Sequence, residues 1–126
     1  ERIDLEGYKF WSELEPYNYA EEFYHTLKKD YEVYFATSPS QSPESLKGKL
    51  LFLNNFTATN CRNYVFTNNK FLLAKKSVIL LDDYDKNCEE FEQHCGSAVV
   101  FPQPWNKNYL VENKIEYVFN ELEKLK

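Results

Sequence analysis

Three short stretches of the chain carry side chains suited to handling a phosphate ester: Thr37-Ser38, the Lys70 that closes Thr67-Asn68-Asn69-Lys70, and the pair Asp82-Asp83. The hydroxyls of Thr37 and Ser38, backed by loop amides, can donate to phosphoryl oxygens. Lys70 can set a fixed positive charge against them, and Asp82 with Asp83 can hold Mg²⁺ through hard oxygen ligands. Each residue alone has an ordinary explanation. A threonine ending a strand is usually a cap, a lone lysine is usually solvated, and adjacent acids after a strand often start a turn. The weight comes from all three falling at the ends of successive strands.

The elements that must position them follow from periodicity. Tyr19, Phe23 and Leu27 recur every four residues and predict a helix over 18–29. The β-prone run Tyr31 to Ala36 then stops at the polar stretch Thr37 to Pro43, as a buried strand followed by a loop would. Pro43 and Glu44 suit the first turn of a second helix reaching about Leu53, with Ser42 as its N-cap. Little periodicity marks Phe56 to Asn63, and Tyr64-Val65-Phe66 reads as a short strand. The clearest strand is Ser77 to Leu81, an apolar run that enters Asp82-Asp83 directly. A helix over Asp85 to His94 with Gly96 at its C-terminal cap, and a strand Ala98 to Phe101, come next. Ile115, Val118, Phe119, Leu122 and Leu125 make an amphipathic closing helix. Strands alternating with helices at this spacing predict an α/β fold with a doubly wound, mostly parallel sheet, whose strand C-termini share one edge.

Bulk properties narrow the function classes. At 126 residues, 43% hydrophobic and 28% charged, the chain is one globular domain's worth of sequence. The net charge of −5 argues against clamping a long nucleic acid, yet it tolerates a small phosphate ligand held through a metal. No apolar run is long enough for a membrane span and no signal peptide opens the chain, so the default location is cytoplasmic. The three cysteines, Cys61, Cys88 and Cys95, show no CxxC spacing, which makes a zinc site or disulfide framework a poor fit. Cys88, Phe91 and Cys95 are expected on one helix face as reduced packing residues. Nothing in the sequence decides the oligomeric state, and an exposed sheet edge or the Tyr-rich surface leaves a homodimer open.

The stretches Val33 to Ser40, Thr67 to Lys70 and Val78 to Asp83 resemble motifs two, three and four of the haloacid dehalogenase superfamily. Within it, the Thr37-Ser38-Pro39 turn, the upstream Phe10-Trp11-Ser12-Glu13-Leu14-Glu15-Pro16 and the later Phe101-Pro102-Gln103-Pro104-Trp105-Asn106 are similar to 5′(3′)-deoxyribonucleotidases of the phage and bacterial type. The resemblance implies a Mg²⁺-dependent phosphohydrolase acting on nucleoside monophosphates through an aspartyl-phosphate. It makes Thr37 a ligand of the transferring phosphoryl group, with Ser38 beside it, and Lys70 the group that neutralises phosphoryl oxygens and orients the nucleophile. At least one of Asp82 and Asp83 would bind Mg²⁺ directly while the other supports its water shell. Asp85 and Asn87 would brace that loop or simply begin a helix, and Trp11 and Trp105 would flank a base or pack in the core.

The family's first motif, an Asp-x-Asp pair closing a buried strand, is not found ahead of Thr37. The nearest candidate, Asp4-Leu5-Glu6, has only three residues before it and a glutamate in the second place. Because the first residue is Glu, not Met, the expectation is that residues upstream were removed, the alternative being that this segment pairs with another chain. The domain reading is therefore a single core missing its first, central strand: residues 1–14 end a cap, 15–106 carry motifs two to four, and 107–126 form the C-terminal helix. The competing readings are a catalytically inactive nucleotide- or phosphate-binding module, and a phosphatase of the same superfamily for sugar phosphates or nucleic-acid ends.

Overall fold

The computed structural model describes residues 18–37, 43–57 and 61–126. The chain divides into two compact units, Glu1–Asn68 and Asn69–Lys126. Ser42, expected as an N-cap, lies outside the described residues.

In the first unit, helix α1 spans Asn18–Asp30, strand β1 Phe35–Thr37, helix α2 Pro43–Thr57 and strand β2 Tyr64–Phe66. Lys28 and Lys29 sit in the last turn of α1, where the helix dipole favours cations. Phe23 is buried and Leu27 half-buried, as the fourfold spacing requires. Tyr24 adds a contact that spacing did not suggest, its ring lying 5.4 Å from both Phe35 and Phe56. Phe35 meets Phe56 edge-on at 6.2 Å, and Phe52 stacks on Phe56 at 5.8 Å, so aromatic packing joins α1, β1 and α2.

Two boundaries differ from expectation in this unit. Helix α2 continues past Leu53 to Thr57, because Lys49, Leu53 and Phe56 share one buried face and the Thr57 hydroxyl bonds back to the Leu53 carbonyl at 2.8 Å. The strand expected over Tyr31 to Ala36 is only Phe35–Thr37. Its first residue is instead drawn into the helix end, where the Tyr31 amide donates to the Leu27 carbonyl at 2.9 Å. β1 and β2 are parallel, pairing Phe35 with Tyr64, Ala36 with Val65 and Thr37 with Phe66. The ladder is extended at both ends by Phe35 N–H to Asn63 O and Thr67 N–H to Thr37 O, each 2.9 Å.

The second unit begins with a 3₁₀ turn at Lys70–Leu73. Strand β3 (Ile79–Asp82), helix α3 (Asp85–Gln93), strand β4 (Ser97–Val100) and helix α4 (Lys114–Lys124) follow. β3 and β4 pair in parallel from Ile79–Ser97 through Asp82–Val100, joined right through the helix as a βαβ unit. Leu80, Cys88, Phe91 and Val100 form the core between helix and strands, with Leu73, Ala74, Val78 and Ala98 packed around it. Full burial of Phe91 alone stabilises by roughly 1.5–3 kcal/mol.

The end of α3 explains Gly96. The Gly96 amide donates to the Phe91 carbonyl at 3.1 Å and the Cys95 amide to the Glu92 carbonyl at 3.2 Å, a Schellman closure. Cys95, with φ of 74°, takes the left-handed position that glycine usually fills. Gly96 is required for space instead, since a Cβ there would run into the Phe91 ring. The cysteines therefore do not share a helix face. Cys88 is buried in the core, Cys95 lies beyond the helix and is exposed, Cys61 is half-buried, and all three are free thiols.

Helix α4 starts at Lys114 because the Asn113 side chain caps it, accepting from the Glu116 amide at 3.1 Å. Residues 107–113 are loop, so the closing helix is shorter than the 107–126 expected. Val118 and Leu122 are buried, while Leu125 falls past the helix and is exposed. The described β-structure is thus an α/β arrangement of two two-stranded parallel sheets, one in each unit. Among the described residues no helix is long and apolar enough to cross a membrane.

Candidate active site

In the second unit, the last residue of β3 carries the central carboxylate. Period-two alternation turns Leu80 and Asp82 to the same, more buried face, and Asp82 is 0% exposed. An isolated carboxylate there would be prohibitively costly, and three donors offset the cost. Lys70 Nζ reaches Asp82 Oδ2 at 3.1 Å, Asn87 Nδ2 donates to the same oxygen at 3.0 Å, and the Tyr84 amide donates to Oδ1 at 3.0 Å. The Asp82 carbonyl also accepts from the Phe101 amide at 2.8 Å, extending the β3–β4 ladder beyond the strand.

Lys70 is not a solvated surface lysine. It opens the 3₁₀ turn, which tips its side chain inward, and it is 4% exposed. Asn87, on the first turn of α3, acts as more than a helix starter by holding Asp82. Asp85, from the same turn, accepts a long hydrogen bond from the Lys107 amide at 3.5 Å.

Asp83 is buried in the turn between β3 and α3, and its Oδ1 is enclosed with no hydrogen-bond partner. Burial, and then the negative charge of Asp82 beside it, push its carboxyl from 3.8 up to about 7. A divalent cation would relieve both effects, so the donor set fits Mg²⁺ chemically. Among the described residues no group of three or more His, Cys, Asp or Glu side chains gathers as a cage. Carboxylate from this turn would therefore provide only part of an octahedral shell, as is common for Mg²⁺. Cys88, 3.8 Å from the Asp82 carbonyl, offers no nucleophile, because burial holds its thiol protonated.

Asn106 and its neighbours are the residues that sequence reasoning missed. The Asn106 amide donates to the Asp83 carbonyl at 2.9 Å and to the Phe101 carbonyl at 2.7 Å. Asn108 Nδ2 donates to the Val100 carbonyl at 2.8 Å, and Lys114 Nζ to Gln103 Oε1 at 3.0 Å. The run Phe101 to Asn106 stood out for its prolines and its likeness to deoxyribonucleotidases, with nothing to say which side chains the loop would aim. Trp105, on that loop, is 42% exposed and so is not a core aromatic.

In the first unit, Thr37 ends β1 half-buried, and its Oγ1 is enclosed without a hydrogen-bond partner. A threonine acting only as a cap would have spent that hydroxyl on a neighbouring backbone group. Ser38 and Trp11 lie outside the described residues. Lys70, Asp82 and Asp83 thus come together within the second unit, and Thr37 belongs to the first.

Comparison with known proteins bears on this geometry. The chain is 38% identical over 95 residues to a 5′(3′)-deoxyribonucleotidase of Bacillus subtilis (strain 168), covering 75% of the chain and 51% of that relative. The 5′(3′)-deoxyribonucleotidase of Bacillus phage SPbeta gives the same identity and coverage. The chain spans about half the length of these curated relatives. No solved structure gives a significant match. Residues 5–122 match the profile of the 5′ nucleotidase, deoxy (pyrimidine), cytosolic type C proteins, and the chain belongs to that family.

Proposed function

We propose that this protein takes part in Mg²⁺-dependent hydrolysis of the phosphate monoester of a deoxynucleoside monophosphate. The observation that carries the reading is the buried Lys70–Asp82 pair beside Asp83, whose enclosed Oδ1 lacks a donor. Family membership and the naming of both relatives as deoxyribonucleotidases support this substrate class.

The division of labour follows from the hydrogen bonds. Both Asp82 oxygens are engaged by protein donors, whereas Asp83 retains an unpartnered oxygen. Asp83 is therefore the direct Mg²⁺ ligand, and Asp82 fixes Lys70 and the turn. The bound cation would draw off phosphoryl charge as a Lewis acid. Lys70, held by Asp82, keeps a positive charge at a fixed point for the phosphoryl oxygens, with no reorganisation needed as charge develops. Thr37, with an enclosed hydroxyl free to donate, and Ser38 beside it in sequence are assigned to holding the phosphate, on the strength of the motif they share with the superfamily. The attacking carboxylate belongs to the family's Asp-x-Asp motif, which residues 1–36 do not contain. The fold this implies is a doubly wound parallel sheet of the haloacid dehalogenase type.

The test is phosphate release from deoxynucleoside monophosphates, with and without Mg²⁺, by protein made from the complete coding sequence. Asp83→Asn is expected to abolish the Mg²⁺-dependent rate with its fold retained by circular dichroism. A rate equal to wild type in Asp83→Asn would remove this residue from the mechanism, and a wild-type protein inert on every deoxynucleoside monophosphate would end the nucleotidase reading.

A further inference from the structure

The carbonyl of Asp83 and the loop after β4 are tied by one side chain. Asn106 is buried, at 5% exposure, and it uses all four of its hydrogen-bonding positions. Its Nδ2 donates to Asp83 O at 2.9 Å and Phe101 O at 2.7 Å, while its Oδ1 accepts from the Gln103 amide at 3.3 Å and the Asn108 amide at 3.0 Å. Two carbonyls on one side and two amides on the other admit only this amide orientation, since the flipped form would set oxygen against oxygen. The Lys107 amide reaches Asp85 only at 3.5 Å.

We propose that Asn106 is a positioning residue for the cation-holding turn: by clamping the Asp83 backbone to the loop after β4, it fixes where the Asp83 carboxylate points. The inference rests on the reading of Asp83 as a Mg²⁺ ligand. Asn106 acts through Asp83, whose backbone carbonyl it binds. A free Asp83 carbonyl would let the turn relax away from its charged neighbour Asp82, and the like-charge repulsion that a cation must overcome would no longer be held in a fixed geometry. Partners that orient a ligating carboxylate typically change metal affinity or activity by about 10–100-fold when removed.

The experiment compares Asn106→Ala with Asn108→Ala in the full protein. Asn108→Ala is the control because it removes a tie of the same loop, the 2.8 Å bond to the Val100 carbonyl, while leaving the Asn108 amide on Asn106. Mg²⁺ affinity is read by calorimetry below the melting temperature of every variant, alongside kcat and KM. Asn106→Ala is expected to bind Mg²⁺ about 10–100-fold more weakly, with kcat lowered at saturating substrate and low Mg²⁺, and Asn108→Ala to stay within about twofold of wild type. Equal losses of melting temperature in both variants with wild-type Mg²⁺ affinity in both would reduce Asn106 to an ordinary loop anchor and overturn the proposal.

If Asn106→Ala does not fold, Asn106→Asp replaces it, keeping the oxygen that accepts from the Gln103 and Asn108 amides and losing the donor to the Asp83 and Phe101 carbonyls. Its added negative charge by itself favours a cation, so weakened Mg²⁺ binding would report the lost clamp, and unchanged or tighter binding would overturn it. Failure of the underlying reading looks different, for then wild type itself shows no Mg²⁺ affinity and both assignments fall together.

Discussion

The two parallel strand pairs treat their polar strand ends in opposite ways. β1–β2 is three residues long, every residue in it is half-buried, and it ends at Thr37, a neutral hydroxyl enclosed with no partner. β3–β4 is four residues long, backed by the Phe91 core, and it ends at Asp82, a charge with no exposure and three donors around it. The difference follows from what each group costs to bury. A hydroxyl left unpaired costs on the order of 1–3 kcal/mol, which a folded domain tolerates. An unpaired carboxylate costs far more, so its partners must be built into the fold itself. The shorter pair can afford an unsatisfied hydroxyl, and the longer pair must supply donors for the Asp82 charge.

The sharpest way to break this comparison is to unpair Asp82. Lys70→Met leaves the carboxylate buried with only Asn87 and Tyr84 as donors, and is expected to cost about 3–5 kcal/mol in urea denaturation. The double variant Lys70→Met/Asp82→Asn should recover a large part of that loss, giving a clear coupling energy in the double-mutant cycle. Strict additivity would mean that the ion pair is no unit, and the contrast with Thr37 would fail.

A smaller effect is expected from pH. The folded Asp83 carboxyl, pushed up to about 7, keeps a proton that an unfolded chain with the ordinary value of 3.8 has already released. Stability should therefore fall as pH rises from about 3.8 to about 7 and level off above that window. Urea midpoints across the window, with Asp83→Asn as the variant that flattens this component, measure it. Added Mg²⁺ should restore midpoint at the alkaline end in wild type only. A slope unchanged by Asp83→Asn would place the burden on another group.

The smallest expected change in stability is at Thr37. Thr37→Val removes a hydroxyl that has no partner in the fold and keeps the shape of the side chain, so the melting temperature should stay level or rise slightly. Phosphate-ester hydrolysis, or inorganic phosphate binding, should nevertheless weaken. A stability loss above about 1 kcal/mol would show that the hydroxyl serves the fold, which would erase the distinction between the two strand ends.

Much of this was legible before any coordinates. Tyr64-Val65-Phe66 is a strand with the boundaries its pattern suggested, and the helices at Asn18 and Asp85 start where their pattern placed them. Those features depend on local periodicity, which neighbouring residues carry among themselves. The strand over Tyr31 to Ala36 was overestimated, because whether Tyr31 ends a helix or begins a strand is decided by which hydrogen bond it gains, and that partner lies outside its own pattern. Cys95 was misplaced for a related reason: its spacing from Cys88 suited a helix that had already ended at Gln93.

The residue types at the strand ends, their order along the chain and their chemistry were determined by sequence alone: hydroxyl, ammonium, then paired carboxylates. Only tertiary structure decided that Lys70 is buried against Asp82, that Asp83 is left with an unsatisfied oxygen, and that Asn106 closes on the Asp83 backbone from 23 residues away. The physical reason is that desolvation and hydrogen-bond satisfaction are properties of a packed environment. A periodic pattern shows which face a residue occupies, but its energy in place depends on partners that chain folding brings together from distant positions.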